Sequence, residues 1–162
     1  MAITTFVEQT CIVIGSCALL FIIDYILLSK YVQSFKFISL IPHKSISLIN
    51  STLWSLICGI GGTYIWLYPN NSQKMDGLHG ENILQEIICL IGIGYFIYDI
   101  YVSIFIDYSL VYVIHGILGG LFGYLGGVIP LSSHMGSFVM AYEISTPFKN
   151  FRYFFIKFGI SK

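Results

Sequence analysis

The stretch VMAYEISTPFKNFRYFF, residues 139 to 155, sets an acid inside an otherwise apolar run. Glu143 is followed by Ser145, Thr146 and Pro147, then by Lys149, Asn150 and Arg152. A carboxylate buried in hydrocarbon costs roughly 2.5 kcal/mol or more. Glu143 therefore belongs against a protein interior or a wet cavity, and the run belongs to a helix packed among other helices. Pro147 has no backbone N–H and biases the residue before it away from the α region, so the helix is expected to kink or end there. Lys149 and Arg152 then fall where a helix C-terminus and a layer of lipid headgroups both favour cations. These two are the candidate headgroup-binding residues.

Composition agrees with a membrane setting. The chain is 56% hydrophobic and only 10% charged, with a mean hydropathy of +0.82, whereas soluble domains carry about 25% charged residues. The expected fold class is all-α, a multi-pass transmembrane helical bundle forming a single membrane domain over residues 1–162. The formal net charge of +0 gives no reason to expect a nucleic-acid partner. Cys11, Cys17, Cys58 and Cys89 all fall inside apolar runs with no C-x-x-C spacing, which reads as reduced packing residues.

Five spans follow from the apolar runs: about 10–29, 46–68, 83–106, 109–128 and 131–148. The first has no basic segment before it and is long for a signal-peptide core, so it reads as a retained helix. Pro42 and nearby serines are expected to break helix structure in the link 30–45, and Trp66 and Tyr68 mark a membrane interface. Asn82 with Gln85 resembles a capping box opening the third span. Lys30, Lys36 and Lys44 lie in the first link, Lys149, Arg152, Lys157 and Lys162 at or beyond the end of the fifth span, and only Lys74 in the loop 69–82. Cytoplasmic segments collect basic residues, so the tail is expected in the cytosol and the N-terminus on the other side. Asn50 and Asn70 open N-x-[ST] triplets, but neither position suits a glycan.

The fourth span carries Gly116, Gly119, Gly120, Gly123, Gly126 and Gly127, a small-xxx-small pattern for close helix packing rather than a phosphate loop. Asp24, Asp99, His115 and Glu143 come from four different spans, each roughly 5–8 Å from its span's midpoint toward the cytosolic side at 1.5 Å per residue. Such a layer reads either as a shared polar cavity or as a hydrogen-bond cluster that fixes helix register. His115, Glu143 and Asp99 are the candidate catalytic set, with Asp99 pairing with a neighbouring tyrosine as the structural alternative. His79 and His134 read as interfacial. No metal-binding spacing of His or Cys is present, so neither a metal nor a cofactor is expected.

The run Glu-Ile-Ser-Thr-Pro-Phe-Lys-Asn-Phe-Arg, residues 143 to 152, resembles the E-x-S-[ST]-P-F-x-N-x-R signature of the TLC-domain family. NSTLWSLICGIGGTYIWLY, GYFIYDIYV and VIHGILGGLFGY resemble further helices of that family, so the likeness covers about 46–155. It implies a ring of helices around a central cavity, and membership among multi-pass proteins of lipid metabolism distantly related to ceramide synthases. The departures are specific. His115 is followed by Gly116 where ceramide synthases carry a second histidine. Trp54 stands where many relatives have a histidine, and Glu143 opens a motif that is rich in aspartate in the synthases. The family usually continues through further helices, so the ring is expected to be incomplete at its C-terminal end and to be completed by association with a second copy or another chain.

Two functions follow from the resemblance. The first is lipid handling in membrane lipid homeostasis, with membrane lipids as partners and a lipid or acyl chain bound in an intramembrane polar cavity. The second is a ceramide-synthase-like N-acyltransferase, with acyl-CoA as substrate and His115 as base or transient acyl acceptor. The missing histidine favours the first. The expected location is the endoplasmic reticulum or plasma membrane.

Overall fold

Thr5 and Glu8 open the first helix by capping each other. Glu8 accepts from the Thr5 backbone N–H at 2.7 Å, and the Thr5 hydroxyl accepts from the Glu8 N–H at 3.3 Å. In this computed structural model the described residues are 5–31, 42–71, 74, 80, 82–129 and 133–157. Of 27–31, 42–46, 133–135 and 157 the backbone alone is described. His79, most of the link 30–45 and much of the loop 69–82 lie outside the described residues, as does the His134 side chain. Every regular element described is a helix: α1 Phe6–Tyr31, α2 Pro42–Leu67, α3 Ile83–Phe105, α4 Leu110–Gly123, α5 Ser133–Tyr142 and α6 Ser145–Lys157.

Pro42 starts α2 rather than merely ending what precedes it. At the first helical position its missing N–H has no partner to lose and its fixed φ already suits the helix. Asn82 caps α3 by accepting from the backbone N–H groups of Leu84 and Gln85 at 3.0 and 3.3 Å. The Gln85 amide does not complete a box; it donates to the Gly126 carbonyl at 3.0 Å. That carbonyl lies in Tyr124–Val128, a π-helical turn that ends α4. The turn between α3 and α4 passes through Tyr108 at φ 50, a left-handed conformation.

Four helices are long and apolar enough to cross a membrane, over Phe6–Ile26, Ser47–Leu67, Ile83–Phe105 and Leu110–Val128. The third is the axis of the bundle: 56% of its span is buried inside the protein, against 11% for the first. Its Tyr95, Phe96, Tyr98 and Val102 form the core with Leu20, Trp54, Cys58, Ile65 and Met140. The cysteines are free thiols, Cys58 and Cys89 being buried.

The fifth run differs from the expected continuous span 131–148. It is two short helices, α5 of 10 residues and α6 of 13, with the break at Glu143 and Ile144. Even so, the pair runs antiparallel along most of α2. A Cβ added at Gly62 would sit 2.6 Å from the Ala141 backbone nitrogen, and one at Gly59 would sit 2.7 Å from that of Ile144. Farther along, the Asn150 amide donates to Leu48 O at 3.2 Å and to Thr52 Oγ1 at 3.0 Å. From Gly62 to Leu48 is about 21 Å at 1.5 Å per residue, so the broken run lies beside α2 over most of that helix's length, though neither of its two short helices is among the four long enough to cross a membrane. The glycines of α4 pack as their spacing predicts. Gly119 lies against the Phe96 ring, and a Cβ at Gly123 would sit 2.7 Å from the Met140 methyl.

Candidate functional site

α6 carries its polar groups at helical spacing: Thr146, Lys149 and Asn150, then Tyr153, with Ile156 one turn on. That face closes a cavity of about 250 Å³ whose other walls come from α2, α3 and α4. α2 supplies Ser47, Leu48 and Ser51; α3 supplies Tyr95, Asp99, Val102 and Ser103; α4 supplies Tyr112 and His115. Arg152 lies on its border with Lys149, and Asp107 borders it from the turn after α3. On α2 and α4 these residues lie in the first half of the helix, on α3 from its middle to its end, and on α6 along its whole length.

The inner wall is organised by hydrogen bonds. The Ser51 and Tyr95 hydroxyls lie 3.0 Å apart and buried. His115 Nε2 stands 3.5 Å from Glu143 Oε1, at the outer limit of hydrogen bonding. The imidazole is half exposed while Glu143 is buried, and the edge of one ring meets the face of the other in the His115–Phe96 pair at 5.9 Å. The other Glu143 oxygen accepts from the Thr146 hydroxyl at 3.1 Å. Glu143 thus stands behind His115, while Asp99 and His115 face the cavity itself. Lys149 places its ammonium 4.5 Å from the centre of the Tyr112 ring, a cation–π contact.

Asp24 is not part of this group. One of its oxygens accepts from the Tyr98 hydroxyl, and the other from the Asn50 amide at 2.6 Å. Asn50 also donates to the Leu20 carbonyl at 3.2 Å. The four ionisable groups expected in one layer are therefore divided. Asp24 fastens α1 to α2 and α3, whereas Asp99 and His115 line the cavity and Glu143 contacts His115 from behind it. The tyrosine partner expected for Asp99 goes to Asp24 instead, through Tyr98, and no tyrosine hydrogen bond to Asp99 occurs among the described residues. Ser51, Tyr95, Tyr112 and Asn150 were not among the candidate residues. Periodicity on α6 points to Asn150, but the other three emerge only from packing. No group of three or more metal-binding side chains occurs among the described residues.

A family model for the TLC domain matches residues 44–162. The chain belongs to the TLC-domain family. It is similar to a TLC domain-containing protein of Saccharomyces cerevisiae described as uncharacterized, at 32% identity over 128 residues, covering 76% of this chain and 40% of the yeast protein. It is also similar to human TLC domain-containing protein 4, at 33% identity over 162 residues, covering 92% of this chain and 58% of the human one. The chain thus spans about half the length of the curated relatives it matches. No solved structure matches it. The four apolar spans and the family together make this TLC-domain chain an integral membrane protein. The TLC match begins at the start of α2, so α1 with Asp24 lies before it, and the whole cavity lies within it.

Proposed function

We propose that this chain handles membrane lipids by holding a lipid headgroup in the cavity between α2, α3, α4 and α6. The observation that supports this reading is the union of two kinds of residue in one space. Asp99 and His115 come from membrane-spanning helices, where ionisable groups are expensive and mark binding or transport sites. Lys149 and Arg152 come from the segment where headgroup phosphates are met. The cavity opens toward the basic, cytosolic side, and the tail is cytosolic. The role served is membrane lipid homeostasis in the endoplasmic reticulum or plasma membrane. The test is lipid retention by the purified full chain. Changing Lys149 and Arg152 together to Gln is expected to reduce co-purifying phospholipid, and His115→Ala is expected to reduce it while protein abundance is maintained. Unchanged retention in both variants would defeat the reading.

The contact between His115 and Glu143 favours a second reading, N-acyl transfer from acyl-CoA. An amine would attack the thioester carbonyl, forming a C–N bond and breaking the C–S bond. His115 would take the amine proton and return it to the departing thiolate, with Glu143 steadying the charged imidazole. Release of free CoA from acyl-CoA in the presence of a long-chain amine would decide for it. Absence of release, with lipid retention intact, leaves the binding reading alone.

A further inference from the structure

We infer that the cavity selects a phospholipid whose headgroup carries a primary ammonium as well as its phosphate, with the ammonium held at Asp99 and the phosphate at Lys149 and Arg152. This deepens the lipid-binding reading and rests on it. The arrangement of charge carries it. Asp99 on α3 and Lys149 on α6 border the same space and lie within electrostatic range of each other. No ion pair joins them among the described residues. Lys149 is turned onto the Tyr112 ring instead, and Arg152 has no ion-pair partner among the described residues. His115 is engaged by Glu143, and Asp107 at the outer turn has interactions of its own. Asp99 is thus a carboxylate that faces the cavity with no ion pair among the described residues.

Opposite charges that face a shared space without closing on each other suit a ligand that carries both. A purely anionic headgroup would bring its charge against Asp99. A purely cationic one would meet Lys149 and Arg152. A zwitterion complements each wall and brings no net charge into a membrane-embedded space, so the repulsive wall discriminates as much as the attractive one. A primary ammonium donates charge-assisted hydrogen bonds to a carboxylate, whereas a quaternary ammonium has no N–H to donate. The site therefore distinguishes ethanolamine-type from choline-type headgroups.

The experiment measures binding of short-chain phosphatidylethanolamine, phosphatidylcholine and phosphatidylglycerol to the full chain in mild detergent. The ethanolamine lipid is expected to bind about tenfold tighter than either of the others, the margin of one good charge-assisted hydrogen bond. Asp99→Asn should erase that preference and keep the affinity for phosphatidylglycerol, while Lys149→Gln should weaken all three. If Asp99→Asn does not yield folded protein, the wild-type ranking decides by itself. Equal binding of the three lipids that still depends on Lys149 would overturn the headgroup selectivity and leave the lipid-binding reading standing. Binding of none would overturn both. Free phosphoethanolamine is expected to produce no effect at the same concentration, and an effect equal to the lipid's would overturn a lipid as the ligand.

Discussion

Pro147 and Glu143 stand one helical turn apart, and the chain breaks at the glutamate rather than at the proline. In an unbroken helix the Pro147 ring would collide with the carbonyl four residues earlier, which is that of Glu143. Here that carbonyl accepts from the Thr146 N–H at 3.0 Å instead. The proline therefore acts upstream of itself, and the residue it displaces is the one that meets His115.

Replacing Pro147 with Ala restores the missing donor and removes the collision. Such a change favours a helix interior by about 3 kcal/mol, so α5 and α6 are expected to join. Joining them rotates Lys149, Asn150 and Arg152 away from their present face. The expected result is undiminished abundance with reduced phospholipid retention. Full retention would mean the break does not orient the cavity wall.

Asp24→Ala is expected to loosen α1. It leaves the Tyr98 hydroxyl and the Asn50 amide without the carboxylate they now share, each at a cost of about 1–3 kcal/mol. A double-mutant cycle with Tyr98→Phe should return a coupling of about 0.6 to 1.7 kcal/mol, the range for hydrogen bonds between membrane helices. A coupling of zero in detergent denaturation would remove this pair from the forces that hold α1.

Gly62→Val should be far worse tolerated than Gly15→Ala. At Gly62 the new Cβ would meet backbone at 2.6 Å, while at Gly15 nothing lies within 4 Å. Overpacking of this kind costs about 1–3 kcal/mol, and backbone cannot turn aside as a side chain can. Melting of the two purified variants by fluorescence checks it, with Gly15→Ala expected to match or exceed the parent.

The tail orientation rests on seven basic residues in two segments against Lys74 alone in the loop 69–82. A tag placed after Lys162 is expected to be digested by protease in cells whose plasma membrane is permeabilised and whose organelles are intact. Protection of that tag would reverse the orientation.

The sequence alone determined that this is a membrane bundle, because long apolar runs with so few charges suit a bilayer, and local chemistry fixed the ends of α3 but not those of α1, α2 or the broken fifth run. Asn82 at the start of α3, the glycine faces of α4 and the signature from Glu143 to Arg152 were all legible as short-range patterns. Tertiary structure decided what those patterns could not. Depth along a helix is readable from residue count, but rotation about the helix axis is set by packing. For that reason Asp24, at a depth like that of Asp99, went to Tyr98 and Asn50 instead of the cavity. The same packing carried Ser51 and Tyr95 to its inner wall and turned Lys149 onto Tyr112. Pro147 announced a break in the sequence, yet the position of that break was fixed by the Glu143 carbonyl, a steric fact visible only when the turn is built.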